Sequence, residues 1–163
     1  MRGIMMLPLA VLLLSACGEE PKDKRQTIDS KTVDKALAGQ AIPIELEPIR
    51  LPDIEKHQLY GTSCAFAPEG GGVGAVAIAM EDAGYLKIRK EVRRFASDKG
   101  SAKLLFGTHV EHDGLANSFD LEPVGPVPEA ELGSVTFPGR ITVRDDHERV
   151  VYQRSGEIQC NRQ

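Results

Sequence analysis

The sequence predicts an all-β protein: a small antiparallel β-barrel or sandwich of about eight strands, closed by one disulfide and preceded by an extended N-terminal arm. Two observations support this fold class. From Leu59 onward, apolar residues recur with a period of two between turn-forming residues, which is typical of half-buried strands. No amphipathic helical run of useful length follows residue 57. Without crossover helices, neighbouring strands are expected to pair antiparallel.

The predicted strands are separated by recognisable turns. Asp113-Gly114 lies between two strand-like runs and is the strongest hairpin signal in the chain. Residues 145–148 form a second connection, and Lys90-Glu91 marks a turn or bulge, since the apolar parity changes there. The predicted strands are 59–67, 73–80, 85–89, 92–96, 102–112, 115–122, 139–145 and 149–160.

Two segments depart from the strand pattern. Residues 122–139 contain four prolines and are predicted to be a long loop, where binding residues are often found. Residues 41–56 contain Pro43, Pro48 and Pro52 among six branched apolar residues, so we expect extended chain rather than helix. Such apolar chain favours a strap along the domain, and a docking segment for a partner is the alternative.

The first sixteen residues have the layout of a secretory signal peptide. Arg2 supplies positive charge, and residues 4–14 form an apolar stretch. That stretch is too short to cross about 30 Å of hydrocarbon, which needs about 20 residues. We therefore expect a signal peptide at 1–16, an arm at 17–57 and the β domain at 58–163.

The end of this leader carries a specific motif. Leu14-Ser15-Ala16-Cys17 resembles the lipobox of bacterial lipoprotein precursors at all four positions. The resemblance implies cleavage between Ala16 and Cys17 and acylation of Cys17, by palmitate or a similar chain. Two or more acyl chains anchor a protein stably. Gly18, where aspartate would favour inner-membrane retention, implies an outer-membrane address facing the periplasm.

The expected location outside the cytosol predicts how the remaining cysteines pair. The chain has three cysteines, and the anchor would use one. Cys64 and Cys160 are then an even pair in an oxidising compartment, where a disulfide is expected. Because Cys64 is near the start of the β domain and Cys160 near its end, the bond would clamp the first strand to the last.

Composition argues against several function classes. The formal net charge is −4, so nucleic acid is an unfavourable partner. Gly72-Val73-Gly74 with Ala77 imitates a dinucleotide fingerprint but lacks the βαβ context that it requires. There is no G-x-S-x-G motif for a nucleophilic serine. We predict no catalytic residue and no cofactor.

One cluster has metal-ligand chemistry. On a strand, His109, Glu111 and Asp113 would share a face while His112 points to the other. Three nitrogen and oxygen ligands on one face could hold zinc or a similar ion. The alternative interpretation is a solvated face that leads into a turn.

A second resemblance concerns architecture. A lipid-anchored, disulfide-linked β domain resembles the membrane-bound inhibitors of c-type lysozyme. Lys99-Gly100-Ser101-Ala102 is faintly similar to a Lys-Gly-x-x-Ala stretch of that family, with the alanine one position early. That family's inhibitory Ser-Gly-x-x-Tyr loop and its tryptophan have no counterpart here, and Cys160 lies further downstream than the family's last cysteine, so no inhibitory residue is carried over.

These observations lead to one functional expectation and two alternatives. We expect a membrane-anchored lipoprotein whose β domain is a non-enzymatic binding or assembly module, with an envelope protein or polymer as partner. A lysozyme inhibitor is the first alternative. A metal-dependent enzyme of the envelope is the second.

Overall fold

The computed structural model describes residues 39–72 and 74–162, so the predicted signal peptide, Ala16 and Cys17 lie outside the described residues. Eight strands form a closed antiparallel barrel in chain order, and the last pairs with the first. The strands are β1 (Ser63–Pro68), β2 (Ala77–Ala79), β3 (Ala83–Ile88), β4 (Glu91–Ser97), β5 (Glu111–Asp113), β6 (Asn117–Pro123), β7 (Gly133–Asp145) and β8 (Val150–Arg162). The predicted fold class is therefore confirmed, and its two alternatives are resolved in favour of the barrel.

The predicted turns are present, but one of them lies one residue earlier than predicted. Gly114 N–H donates to the Asn117 carbonyl in the β5–β6 hairpin, and Glu148 N–H donates to the Asp145 carbonyl in the β7–β8 hairpin. The β3–β4 connection is Arg89-Lys90 rather than Lys90-Glu91, because Ile88 pairs with Glu91.

Two strand predictions need correction. Residues 102–112 do not form one strand, since a 3₁₀ turn at Leu105–Gly107 interrupts them and only β5 continues as a ladder. Half of the predicted loop at 122–139 is strand, because β6 continues to Pro123 and β7 begins at Gly133. Pro138 fits within β7 because its missing N–H falls where the β6–β7 ladder ends. Its carbonyl accepts a hydrogen bond at 2.9 Å from the N–H of Val124, one residue past β6.

The proline-containing segment is a strap across one end of the barrel, as its apolar residues predict. Ile44 N–H donates to the Val151 carbonyl at 3.0 Å, Glu47 N–H to the Lys87 carbonyl at 2.9 Å, and Ile49 N–H to the Ala75 carbonyl at 2.8 Å. The strap therefore runs from β8 past β3 to the β1–β2 loop.

The expectation that this segment contains no helix is wrong at its end. Helix α1 spans Leu51–His57, with Pro52 in its first turn, where the missing proline N–H has no intrahelical acceptor in any case. Asp53 accepts a hydrogen bond from Arg50 N–H at 2.9 Å. It also forms an ion pair with Lys87 Nζ at 2.7 Å. The hydrogen bond from Lys87 is the main reason that the pKa of Asp53 is lowered.

Two apolar clusters hold the strap and the helix against the barrel. The larger fills the barrel, and the partly buried strap residues Ala41, Ile44 and Leu46 pack against it. The smaller lies under the strap and helix, where Ile49, Leu59 and Ile78 are buried. The described strap, helix and barrel accordingly belong to one compact unit.

Candidate binding surfaces

The interior of the barrel is filled by side chains. Large apolar residues from β1, β3, β6, β7 and β8 have no solvent exposure, among them Phe66, Leu86, Phe119, Ile141 and Ile158. The described part of the chain therefore presents its polar chemistry on the outer wall and rims, apart from a few buried polar residues.

The predicted disulfide is present between Cys64 and Cys160. Both residues are fully buried and lie opposite each other in the β1–β8 ladder. Thr108 Oγ1 lies 3.1 Å from Cys64 Sγ and donates to the Leu105 carbonyl at 2.8 Å. The 3₁₀ turn thus covers the bond and separates it from solvent.

Two histidines are buried, which the sequence pattern did not predict. His112 has no solvent exposure, and its ring stacks on Phe119 with centroids 4.5 Å apart. Gly84 makes room for this stack, because a Cβ there would lie 2.5 Å from the His112 ring. His109 is only 4% exposed.

The ring nitrogens of these histidines are poorly satisfied. Neither nitrogen of His112, nor Nδ1 of His109, has a hydrogen-bond partner among the described residues. Burial lowers the pKa of His112 to about 4, the nearby Val110 carbonyl partly offsets this, and His109 lowers it further. His112 is therefore neutral at pH 7 and behaves as part of the core.

The structure separates the predicted metal ligands. Glu111 and Asp113 are exposed on β5, whereas His109 is buried before that strand begins. Within 39–72 and 74–162, no group of three His, Cys, Asp or Glu side chains is placed to hold a metal ion. The expectation of a shared face is wrong because residues 109 and 110 precede the strand, so strict alternation does not reach back to His109.

Glu111 and Asp113 instead line an acidic groove on the outer wall. The groove has a volume of about 460 Å³ and crosses β5, β6 and β7. Its lining residues are Val110, Glu111, Asp113, Ser118, Asp120, Glu122, Arg144 and Glu148. Five carboxylates therefore surround one guanidinium.

Arg144 organises this groove. It forms an ion pair with Asp120, which is the first reason that the pKa of Arg144 is raised, and Glu148 and Glu122 add to the effect. Glu111 lies directly opposite Asp120 in the β5–β6 register, a like-charge pairing that usually destabilises a ladder. The period-two recurrence of Ser118, Asp120 and Glu122 could have indicated this face from the sequence.

The adjoining β7–β8 turn is also held by charge. Arg149 contacts Asp145 through Nε at 2.8 Å and Nη2 at 2.7 Å, and its guanidinium donates to the Gly39 carbonyl at 2.9 Å. The hydrogen bond from Arg149 is the first reason that the pKa of Asp145 falls to about 2. This turn therefore fixes the start of the strap.

A second groove differs in charge. It has a volume of about 310 Å³ and lies between β4 and the β5–β6 turn. Its lining residues are Arg93, Arg94, Phe95, Gly114, Leu115, Ala116 and Asn117. Leu115 is completely exposed at the tip of the hairpin. A basic and apolar surface thus neighbours the acidic one.

Comparison with known proteins finds no relative: no protein-family model, no curated protein and no solved structure matches the chain significantly. The surfaces described above are therefore the basis for assigning a role.

Proposed function

We propose that this chain is a lipoprotein of the bacterial cell envelope, anchored through Cys17, whose barrel is a non-enzymatic binding or assembly module. The proposed address is the outer membrane, with the barrel facing the periplasm. The lipobox-like sequence Leu14-Ser15-Ala16-Cys17 supports the anchor. Within the described residues, no helix is long and apolar enough to span a membrane.

The observation that carries the binding role is the filled barrel. Small barrels hold ligands only when their interior is left open, and here apolar side chains and the disulfide occupy it. The acidic and basic grooves instead lie on the outside, where a macromolecule can reach them. Outer-wall grooves of opposite charge suit recognition of a protein or polymer.

A metal-dependent enzyme receives less support from the geometry. The three residues expected to ligate the ion are divided between the core and the surface, and the buried His112 is held in a ring stack. The groove around Arg144 is open and lacks a buried nucleophile. Its carboxylates are better suited to attracting a cationic partner.

Inhibition of a c-type lysozyme is a second candidate. The feature that favours it is a closed eight-stranded barrel whose first strand is disulfide-linked to its last. That architecture agrees with the resemblance stated above, although the inhibitory loop of that family is missing. The direct test is a lysozyme activity assay with purified protein in molar excess, for which this candidate predicts complete inhibition and the first proposal predicts none.

Labelling with palmitate tests the anchor. In a bacterial host, the wild-type chain should incorporate the label and sediment with membranes, whereas Cys17→Ser should do neither. Cys64→Ser is the matched control, because it removes a cysteine that the anchor does not use and should keep the label. An unlabelled wild-type chain would refute the proposed anchor.

In-cell crosslinking tests the binding role. A photoreactive residue at Leu115 or at Glu122, one in each outer groove, should crosslink to one abundant envelope component. A photoreactive residue at Gln159 on exposed β8 is the control and should give no specific product. Identical products from all three positions would contradict a defined binding surface.

A further inference from the structure

The barrel contains a gap where strand lengths differ. β4 has seven residues but β5 has three. Only Ala96 and Ser97 of β4 have register partners in β5, namely Asp113 and His112. The half of β4 nearer the β3–β4 turn is therefore paired with β3 on one side, and on the other side with no strand from residues 39–72 and 74–162.

The hydrogen-bond alternation identifies which groups face the gap. In a two-residue hairpin, the closing pair Ile88 and Glu91 exchanges hydrogen bonds, so residues 91, 93 and 95 point toward β3. Two observed hydrogen bonds follow this alternation. Ser97 N–H donates to the Asp82 carbonyl on the β3 side, and Asp98 N–H donates to the Glu111 carbonyl on the β5 side. By the same alternation, the N–H and C=O groups of Val92 and Arg94 point into the gap.

These four main-chain groups form an open edge, which we define as the β4 edge. Neither Val92 nor Arg94 has a main-chain partner on that side in the part of the chain described here. Unpaired ladder groups are a ready template for an added strand, and natural barrels normally close or cover them.

The protein already covers the equivalent gap on the opposite side of the β3–β4 hairpin. β2 is also only three residues long, and the exposed edge of β3 beyond it is occupied by the strap. Glu47 N–H donates to the Lys87 carbonyl at 2.9 Å, and Leu46 forms an antiparallel bridge with Ile88. An extended segment of alternating character therefore pairs with one edge of this hairpin, and the β4 edge is its uncovered counterpart.

The chemistry beside the β4 edge indicates what would bind there. Arg93 and Arg94 line the groove, and neither forms an ion pair within 4 Å of a described carboxylate, although Arg94 is close enough to Asp82 to contribute to the lowering of its pKa. Arg89 and Lys90 are exposed at the adjacent turn. Leu115 provides a fully exposed apolar contact on the opposite wall. A strand that added here would be favoured by carboxylates and by one apolar side chain.

We propose that the β4 edge binds an extended acidic segment of a partner protein by strand addition. The main-chain groups of Val92 and Arg94 provide the hydrogen bonds, the arginines provide charge selection, and Leu115 provides the apolar contact. This proposal rests on the binding role proposed above and names its site and its partner class.

Amide hydrogen exchange of the full chain in detergent micelles tests the edge without any ligand. Val92 and Arg94 should exchange much faster than Arg93 and Phe95, because only the latter two donate within the β3–β4 ladder. Slow exchange at all four positions would show that the edge is covered, and would overturn the proposal.

Two synthetic peptides test the partner class. An end-capped hexapeptide of alternating glutamate and valine should slow exchange at Val92 and Arg94 by roughly tenfold or more when bound in excess. The matched peptide of alternating lysine and valine should have no effect. Equal protection by both peptides, or protection by neither, would overturn the proposal.

Variants then separate main-chain pairing from charge. Arg94→Pro removes a donor that faces the gap, a position where proline is tolerated, and should abolish protection at Val92. Arg140→Ala is the control, because it removes an exposed arginine on β7 that is not part of the β4 edge, and it should bind as wild type. Arg93→Ala with Arg94→Ala keeps the donors and should weaken binding at least fivefold, so the charge prediction is tested even if the proline variant does not fold. Unaltered binding by both loss variants would refute the site, whereas absence of palmitate would refute only the anchor.

Discussion

Cys64 and Cys160 lie directly opposite each other where β1 meets β8, with their Cα atoms 3.9 Å apart. The bond joins the strands that close the barrel and spans a sequence separation of 96. Because the bond joins the first strand to the last, it restricts the unfolded chain over nearly the whole barrel.

Removing this bond should destabilise the barrel strongly. For Cys64→Ala with Cys160→Ala, we expect the free energy of unfolding to fall by roughly 4 to 5 kcal/mol, the value of the chain-entropy model for a loop of this length. Urea denaturation of the full chain in mild detergent measures the change. The wild-type chain under reducing conditions is the control, and its free energy of unfolding should fall by a similar amount. A fall of less than about 1 kcal/mol in both cases would contradict the role assigned to the bond.

The strap should contribute to stability as part of the core. Ile49 is 5% exposed and packs with Leu59 and Ile78, so Ile49→Ala should cost about 2 to 4 kcal/mol. Ile42 is 74% exposed in the same strap, and Ile42→Ala should change stability by less than about 0.5 kcal/mol. Thermal unfolding of both variants checks the difference. Equal, small effects would mean that residues before 58 are a separable arm.

The buried His112 should make the barrel sensitive to acid. Its pKa is about 4 in the folded chain, against an ordinary value of 6.5, so the unfolded chain binds its proton more readily. The stabilisation is therefore complete above about pH 6.5 and is lost progressively as the pH falls toward 4, by at most about 3 kcal/mol.

His112→Leu tests this origin of the acid sensitivity. The variant should flatten the dependence of unfolding free energy on pH between 4 and 6.5, because it has no proton to bind. His147→Gln replaces an exposed histidine and should keep the wild-type slope. If His112→Leu retains the full slope, another group is responsible.

The β3–β4 turn should be open to stabilisation. Arg89 and Lys90 both have positive φ, of 51° and 66°, which costs energy for residues with a Cβ and is typical of asparagine and glycine. Arg89→Asn with Lys90→Gly should raise the unfolding free energy by about 1 to 2 kcal/mol. The double alanine variant removes the same charges without relieving the backbone, so it should give no gain in calorimetry. A gain in the alanine variant alone would point to charge repulsion instead.

Much of the barrel could be predicted from local patterns. Alternation identified the all-β class, turn residues placed the hairpins after Asp113 and Asp145, and the even cysteine pair identified the disulfide. The first two signals are local because turn chemistry and strand alternation depend on neighbouring residues, whereas the cysteine pair followed from the cysteine count and the expected compartment. The lipobox-like motif is also local in sequence, but it lies outside the described residues, and the anchor that it implies stays a prediction.

Residue pattern alone misjudged the segments that tertiary contacts shape. Pro52 does not prevent α1, since it occupies the first turn, and the segment before β5 bends over the disulfide instead of continuing as a strand. His109 and Glu111 have the same parity in the sequence and would share a face of a continuous strand. Because the chain bends before β5, His109 is buried whereas Glu111 is exposed.

The sequence by itself determined the strand periodicity, the hairpin turns and the pairing of Cys64 with Cys160. Only the tertiary structure decided that the sheet closes as a barrel, that the strap covers one gap, and that the described residues leave the β4 edge open. The physical reason is that closure and coverage depend on which distant segments reach each edge. That outcome is set by the relative lengths of paired strands and by the burial they achieve together.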